Sequence, residues 1–228
     1  MSRLYLYALL GGPPSGPLGA GLAGEPLRLV RCGDLLAVAG DVPKAPSIDA
    51  ASLRAHDATV RRLAEMVEAV LPIRFCTLVD DESALAGLLE PQRAGLGEAL
   101  ALVAGREQMT LRLYGEGLHD DAPLPDAEPS LPGPGARYLA ARRRERRRAH
   151  GSREMAALRR GLGALIVDER VERHDMPPLL ASLYHLIERG ASARYLSALE
   201  TIAGELGAVR ARATGPWPPY AFAPGAIP

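Results

Sequence analysis

Six arginines against one glutamate fill Arg142-Arg143-Arg144-Glu145-Arg146-Arg147-Arg148, the strongest chemical signal in the chain. Guanidinium groups at that density can hold phosphates or an acidic partner surface, with Arg142, Arg143 and Arg146 as candidate contacts. A solvated helix face is the plainer reading. The second signal is the closing stretch Gly215-Pro216-Trp217-Pro218-Pro219-Tyr220-Ala221-Phe222, which holds the single tryptophan and one of two phenylalanines. Its three prolines stiffen the backbone and remove N–H donors, so little entropy is lost on docking. An ordered tail packed on its own domain is the plain reading, and a partner-binding strip at Trp217, Pro219, Tyr220 and Phe222 is the alternative; the two are compatible.

Catalytic chemistry finds no constellation. The histidines at 56, 119, 150, 174 and 185 are dispersed, without HExxH, HxH or CxxC spacing. No GxSxG elbow and no P-loop occurs. Gly19, Gly21 and Gly24 spell GxGxxG, but Glu25-Pro26 and a strand-like Leu27–Arg31 follow, so no helix N-terminus awaits a pyrophosphate. Asp80, Asp81 and Glu82 read as a helix cap, and His119, Asp120 and Asp121 as a solvated loop. His56 reads as a packed or capping histidine, with no nucleophile to place beside it. Cys32 and Cys76 build no disulfide framework. The expectation is a protein that is not an enzyme and takes no cofactor or metal.

With 27 basic and 27 acidic residues the net charge is zero, so no global field draws the chain to nucleic acid or membrane. Its apolar runs fall short of the ~20 residues of a membrane helix. The N-terminal Met1–Leu10 alternates like a strand and lacks a small-residue cleavage site, which points to a cytoplasmic protein.

The elements that must position these residues follow from the pattern. Leu4–Leu10 reads as a strand stopped at Gly11-Gly12-Pro13-Pro14, and Leu27–Arg31 with Leu35–Asp41 as a hairpin. Ser52 is read as the N-cap of a helix with Val60, Leu63, Val67 and Val70 on one stripe. Pro72–Leu78 alternates as a strand, with Arg74 between apolar neighbours and so expected to be held by a carboxylate or by carbonyls. Asp80-Asp81 caps a leucine-rich helix that Pro91 divides.

Beyond Gly105 come a strand from Met109, a proline-rich loop from 115 to 135, and a long helix over 136–166. Strands at Val167–Arg173 and Leu179–Glu188, a helix capped by Ser192 and a last strand over Ala208–Thr214 complete the order. Strand, helix, strand, strand, helix, strand is the ferredoxin-like arrangement. The fold class is therefore α+β in two domains: residues 1–105, residues 106–214 ferredoxin-like, and a tail over 215–228. Such a sheet could serve as an RNA platform for the arginine helix, but Met109, Leu111, Leu113 and Val209 offer no set of aromatics to stack bases.

Several stretches together resemble the gas vesicle accessory proteins F and L. The closing Gly215–Phe222 stretch is similar to that family's C-terminal signature, and Leu71-Pro72-Ile73-Arg74-Phe75-Cys76-Thr77 to its central motif. Tyr5-Leu6-Tyr7, His56, Glu107 and Gly135-Ala136-Arg137-Tyr138-Leu139 match in order across nearly the whole chain. Two positions depart: Cys76 and Ala8 stand where the family tends to have glycine. The resemblance implies a cytoplasmic, non-enzymatic protein that binds the small hydrophobic shell protein and other gas vesicle accessory proteins, assists assembly, and remains a minor part of the vesicle. Neither nucleic acid nor membrane is an expected partner; a nucleic-acid-binding protein using Arg142–Arg148 is the alternative. Arg74, Phe75 and His56 are expected to hold the first domain together.

Overall fold

The strand β1 (Arg3–Leu10) is buried at every position after the first, so its sheet must be covered on both faces. The structure is a computed structural model describing residues 2–118 and 151–224. The chain divides into two compact units, residues 1–108 with 216–228, and residues 109–215.

In the first unit β2 (Leu27–Cys32) and β3 (Leu35–Val42) form the expected hairpin, turned at Gly33 with φ 67°. The sheet order is β2-β3-β1-β4, with the short β5 (Leu78–Val79) also on β1 and β4 formed by Val70–Pro72. A bulge between Leu6 and Ala8 leaves Tyr7 without its own partner on β3. Helix α1 (Ala50–Glu65) places Leu63 in one cluster with Tyr5, Tyr7, Leu10, Val38 and Val42. Helices α2 (Glu82–Leu89) and α3 (Arg93–Val103) bury Leu85, Leu89, Leu96 and Leu100 outside that cluster, separated by a 3₁₀ turn at Pro91. Asp81 caps α2, accepting from the Ala84 N–H at 2.8 Å.

Three expectations for this unit are corrected. The N-cap of α1 is Asp49, which accepts from the Ser52 N–H, so Ser52 lies inside the helix. The helix stops at Glu65, leaving Val67 beyond it and Val70 in β4. Pro72–Leu78 is not one strand. The Thr77 N–H donates to the Arg74 carbonyl at 3.3 Å and Cys76 has φ 69°, so a tight turn separates β4 from β5. The turn carries Arg74 to the surface.

In the second unit β6 (Arg106–Tyr114), β7 (Ile166–Arg173), β8 (Leu179–Glu188) and β9 (Arg210–Trp217) form a sheet of order β7-β8-β6-β9. Strands β6 and β9 run on across the division between the units. Met109, Leu111, Leu113, Ala181, Leu183 and Ile187 share a core with Met155, Leu158 and Leu162 of α4 (Arg153–Leu162) and Tyr195, Leu199 and Ile202 of α5 (Ser192–Ile202).

Here too the boundaries shift. Ser152 has extended dihedrals and caps α4 by accepting from the Met155 N–H at 3.2 Å, which rules out one helix running unbroken through 136–166. The N-cap of α5 is Ala191 without a side-chain bond, not Ser192. Strand β9 starts later than expected and runs on through Pro216 to Trp217.

Candidate functional site

The closing stretch does not pack as a tail on the sheet it leaves. It belongs to the first unit, where a 3₁₀ turn at Tyr220–Phe222 follows β9. Helix spacing puts Asp57 and Arg61 of α1 on one face, and both reach the tail. The Asp57 carboxylate accepts from the Tyr220 hydroxyl at 2.9 Å through Oδ1 and from Arg61 Nε at 2.7 Å through Oδ2. The Arg61 guanidinium carbon lies 4.3 Å from the Trp217 ring centroid, a cation–π contact. The Ala221 N–H donates to Gln108 Oε1 at 2.8 Å. Burial, then the charge and hydrogen bond of Asp57, push the Tyr220 phenol far above its ordinary value. The hydroxyl therefore stays a donor.

This clasp changes the candidate set. Phe222 is wholly buried, and Pro218 and Pro219 are buried with it. Pro219 and Phe222 thus have no surface for a partner in this folded state, because the unit's own core takes it. Trp217 and Tyr220 keep part of theirs.

Beneath the clasp lies a second buried network. The Cys76 N–H donates to the Tyr5 hydroxyl at 3.0 Å, which in turn faces His56 Nδ1 at 2.9 Å; His56 Nε2 meets the Ile73 carbonyl at 3.1 Å. A carbonyl can only accept, so Nε2 carries the proton and Nδ1 accepts from Tyr5. Burial lowers the His56 pKa and raises that of Tyr5 to about 12, keeping both neutral. Phe75 packs edge-on to His56 and Tyr5 at 5.8 and 6.4 Å between centroids. Tyr7 stacks on His56 at 5.4 Å, accepts from the Leu22 N–H at 2.8 Å and donates to buried Glu25. The Tyr5, Tyr7 and His56 side chains are thus each engaged with the fold. Arg74, by contrast, is exposed and enters no ion pair among the described residues, because the turn removes it from the apolar setting a strand would give.

Sequence reasoning missed a third network, in the second unit. Register pairs Glu169 of β7 with His185 of β8, and Glu169 Oε2 lies 3.1 Å from His185 Nε2. His185 Nδ1 is 2.7 Å from the Tyr195 hydroxyl, and Arg159 reaches Glu169 at 3.2 Å. Burial pushes the Glu169 carboxyl up, but the His185 hydrogen bond and charge and the Arg159 guanidinium outweigh it, holding the carboxyl at about 2. These residues sit on four elements with no sequence spacing to link them; only the strand register could have joined Glu169 to His185.

Arg142, Arg143 and Arg146 lie outside the described residues, as do His119, His150 and the Gly135–Leu139 stretch. Among the described residues no group of three His, Cys, Asp or Glu side chains could hold a metal ion, and no helix is long and apolar enough to cross a membrane. Met109, Leu111, Leu113 and Val209 all belong to the core, so they are not the residues that the sheet's open face presents. That open face of β6 and β8 carries Arg112, Tyr114 and Tyr184.

The description of one protein family, Gas vesicle synthesis protein GvpL/GvpF, matches residues 3–224. The chain belongs to the GvpL/GvpF family. It is 32% identical over 249 residues to Gas vesicle protein L of Streptomyces sp. (strain CB03234), covering 96% of this chain and 92% of that protein. The crystal structure of the gas vesicle protein GvpF from Anabaena sp. PCC7120 superposes with a TM-score of 0.72 at 17% identity, over 98% of this chain and 97% of that one. That of GvpF from Microcystis aeruginosa gives 0.72 at 16% identity, over 97% and 99%. At those identities the two structures establish a shared α+β fold. For the GvpL/GvpF family the role is one associated with gas vesicles, and no catalytic activity is part of its description.

Proposed function

We propose that this GvpL/GvpF protein works in the cytoplasm, where it binds the small hydrophobic shell protein of gas vesicles and assists its assembly without catalysing a reaction. The observation that carries this reading is the family match across residues 3–224. A protein that lines a gas space exposes apolar surface before it assembles, which is an aggregation hazard. A partner that offers complementary apolar surface would lower that hazard. In the first unit the part-exposed ring of Trp217 and the apolar side chains of Ile48 and Leu53, 84% and 46% exposed at the start of α1, are candidate contacts. The second unit's element order and sheet order fit a ferredoxin-like domain, and we read it as one. Arg142, Arg143 and Arg146 remain candidates for electrostatic orientation of the partner.

Pull-down of the shell protein tests this reading, with bulk nucleic acid as competing bait. Retention that survives moderate salt is expected, weakened several-fold by Trp217→Ala or Ile48→Ser in protein that stays folded. Retention of nucleic acid alone, lost as salt rises, would overturn it, because that is the signature of counterion release from phosphates.

A further inference from the structure

We propose that β9 of the second unit, through Arg210 and Arg212 with Arg112 of the neighbouring β6, binds an extended acidic segment of another polypeptide that carries carboxylates at alternate positions. This goes beyond capture of the shell protein and does not depend on it.

Strand β9 ends the sheet order, so among the described residues one of its edges has no strand beside it. Ala211 and Ala213 pack against the core, which turns Arg210 and Arg212 to the opposite face. The same alternation on β6, with Leu111 and Leu113 in the core, puts Arg112 on that face as well. All three arginines are exposed, and none forms an ion pair among the described residues. Elsewhere Arg28, Arg93, Arg159 and Arg160 each reach a carboxylate. Like charges on adjacent strands of one face cost stability when left alone. A partner's carboxylates would turn that cost into attraction.

The spacing selects the partner's shape. Residues i and i+2 of a strand lie about 6.6–6.8 Å apart, and an extended peptide has the same repeat. Laid beside β9, such a peptide brings alternate carboxylates opposite Arg210 and Arg212, where guanidinium groups can grip them bidentately. Pro216 has no N–H to donate, so the stretch of β9 from Arg210 to Gly215 is the part in which every residue has an N–H for a ladder.

The rest of the face argues for polypeptide over nucleic acid. Register sets Arg170 of β7 opposite Tyr184 of β8, with Asp168 and Glu172 flanking it on this side of the sheet, and the Tyr184 hydroxyl already donates to Glu172 at 3.2 Å. A nucleic acid crossing the strands would bring phosphates against these carboxylates. Along β9 itself the charged side chains are Arg210 and Arg212, with no carboxylate among them.

Fluorescence anisotropy on the full chain decides the matter, with three labelled probes: a nine-residue peptide alternating Glu and Thr, a peptide of the same composition with its glutamates in one block, and a thymidine oligonucleotide. The alternating peptide is expected to bind best. The double substitution Arg210→Glu with Arg212→Glu should weaken it at least tenfold, and Arg112→Glu by less. Arg194→Glu, at an exposed helix position of the same unit, should leave it unchanged. If the charge reversals fail to fold, as judged by circular dichroism, the neutral pair Arg210→Gln and Arg212→Gln carries the same expectation. Equal binding by the substituted protein overturns the proposal, as does equal binding of the blocked peptide. Tighter binding of the oligonucleotide, lost with the same substitutions, would assign the face to nucleic acid and overturn it too.

Discussion

Cys76 holds φ at 69° in the turn between β4 and β5, a left-handed backbone that costs a residue with a β-carbon about 1–2 kcal/mol. Cys76→Gly removes that strain, while the freer unfolded chain of glycine returns about 0.4–1 kcal/mol of it. The expected outcome is a gain of roughly 0.5–1 kcal/mol, read as a higher urea midpoint with unchanged slope. The motif around Cys76 was legible as a motif, but its conformation was not. Ile73, Phe75 and Thr77 alternate as a strand does, and one left-handed residue leaves no mark on that pattern. Gly21 shows the opposite case. It belongs to a GxGxxG that the strand after it excludes as a dinucleotide motif, and the structure supplies the reason for a glycine there: a β-carbon would run into the buried Tyr7 hydroxyl and Glu25 carboxylate. Gly21→Ala should destabilise the first unit by about 1–3 kcal/mol in thermal unfolding.

Helix α1 was half legible. The stripe through Val60 and Leu63 gave its buried face, but the role of Asp57 was hidden because its partner Tyr220 lies 163 residues away in sequence. Tyr220→Phe deletes one hydrogen bond and leaves Asp57 still paired with Arg61, so about 1–1.5 kcal/mol should be lost. The single tryptophan is part of this clasp, and its emission should report the loosening directly in a denaturant titration. The strands of the second unit were readable in position, β7 and β8 to within a residue, but their order in the sheet was not, since local pattern says nothing about which strands will pair. Helix starts at Asp49, Ser152 and Ala191 were less so, since Ser52 and Ser192 offer equally good capping chemistry a few residues away and only packing chooses between such sites.

Across the whole molecule the two buried histidine networks give the units different responses to acid. Burial lowers the His56 pKa below its usual 6.5, so the unfolded chain takes up the proton first. The stability that neutral His56 contributes is present above about pH 6.5 and falls away below it. Glu169 is depressed from 4.5 to about 2, so its contribution is intact above about pH 4.5 and lost as pH falls towards 2. Hydrogen exchange followed from pH 7 to 3 should therefore show β1 and α1 of the first unit losing protection before β7 and β8 of the second. Glu169→Gln should flatten the later loss and leave the earlier one unchanged. The chemistry of Gly215–Phe222 was visible from composition, but its destination was not, because nothing in the local sequence says which core such a stretch will fill.

That destination sets a clock on synthesis. The first unit lacks Phe222 and the Tyr220 hydroxyl until residues 216–222 have been made, and the residues between 108 and 216 must be translated in the meantime. At roughly 5–20 residues per second this takes about 5–20 s. The residues up to 108 therefore wait for a buried ring and a hydrogen-bond donor while the second unit is still being made, and during that interval the first unit is a nascent chain with an unfilled core.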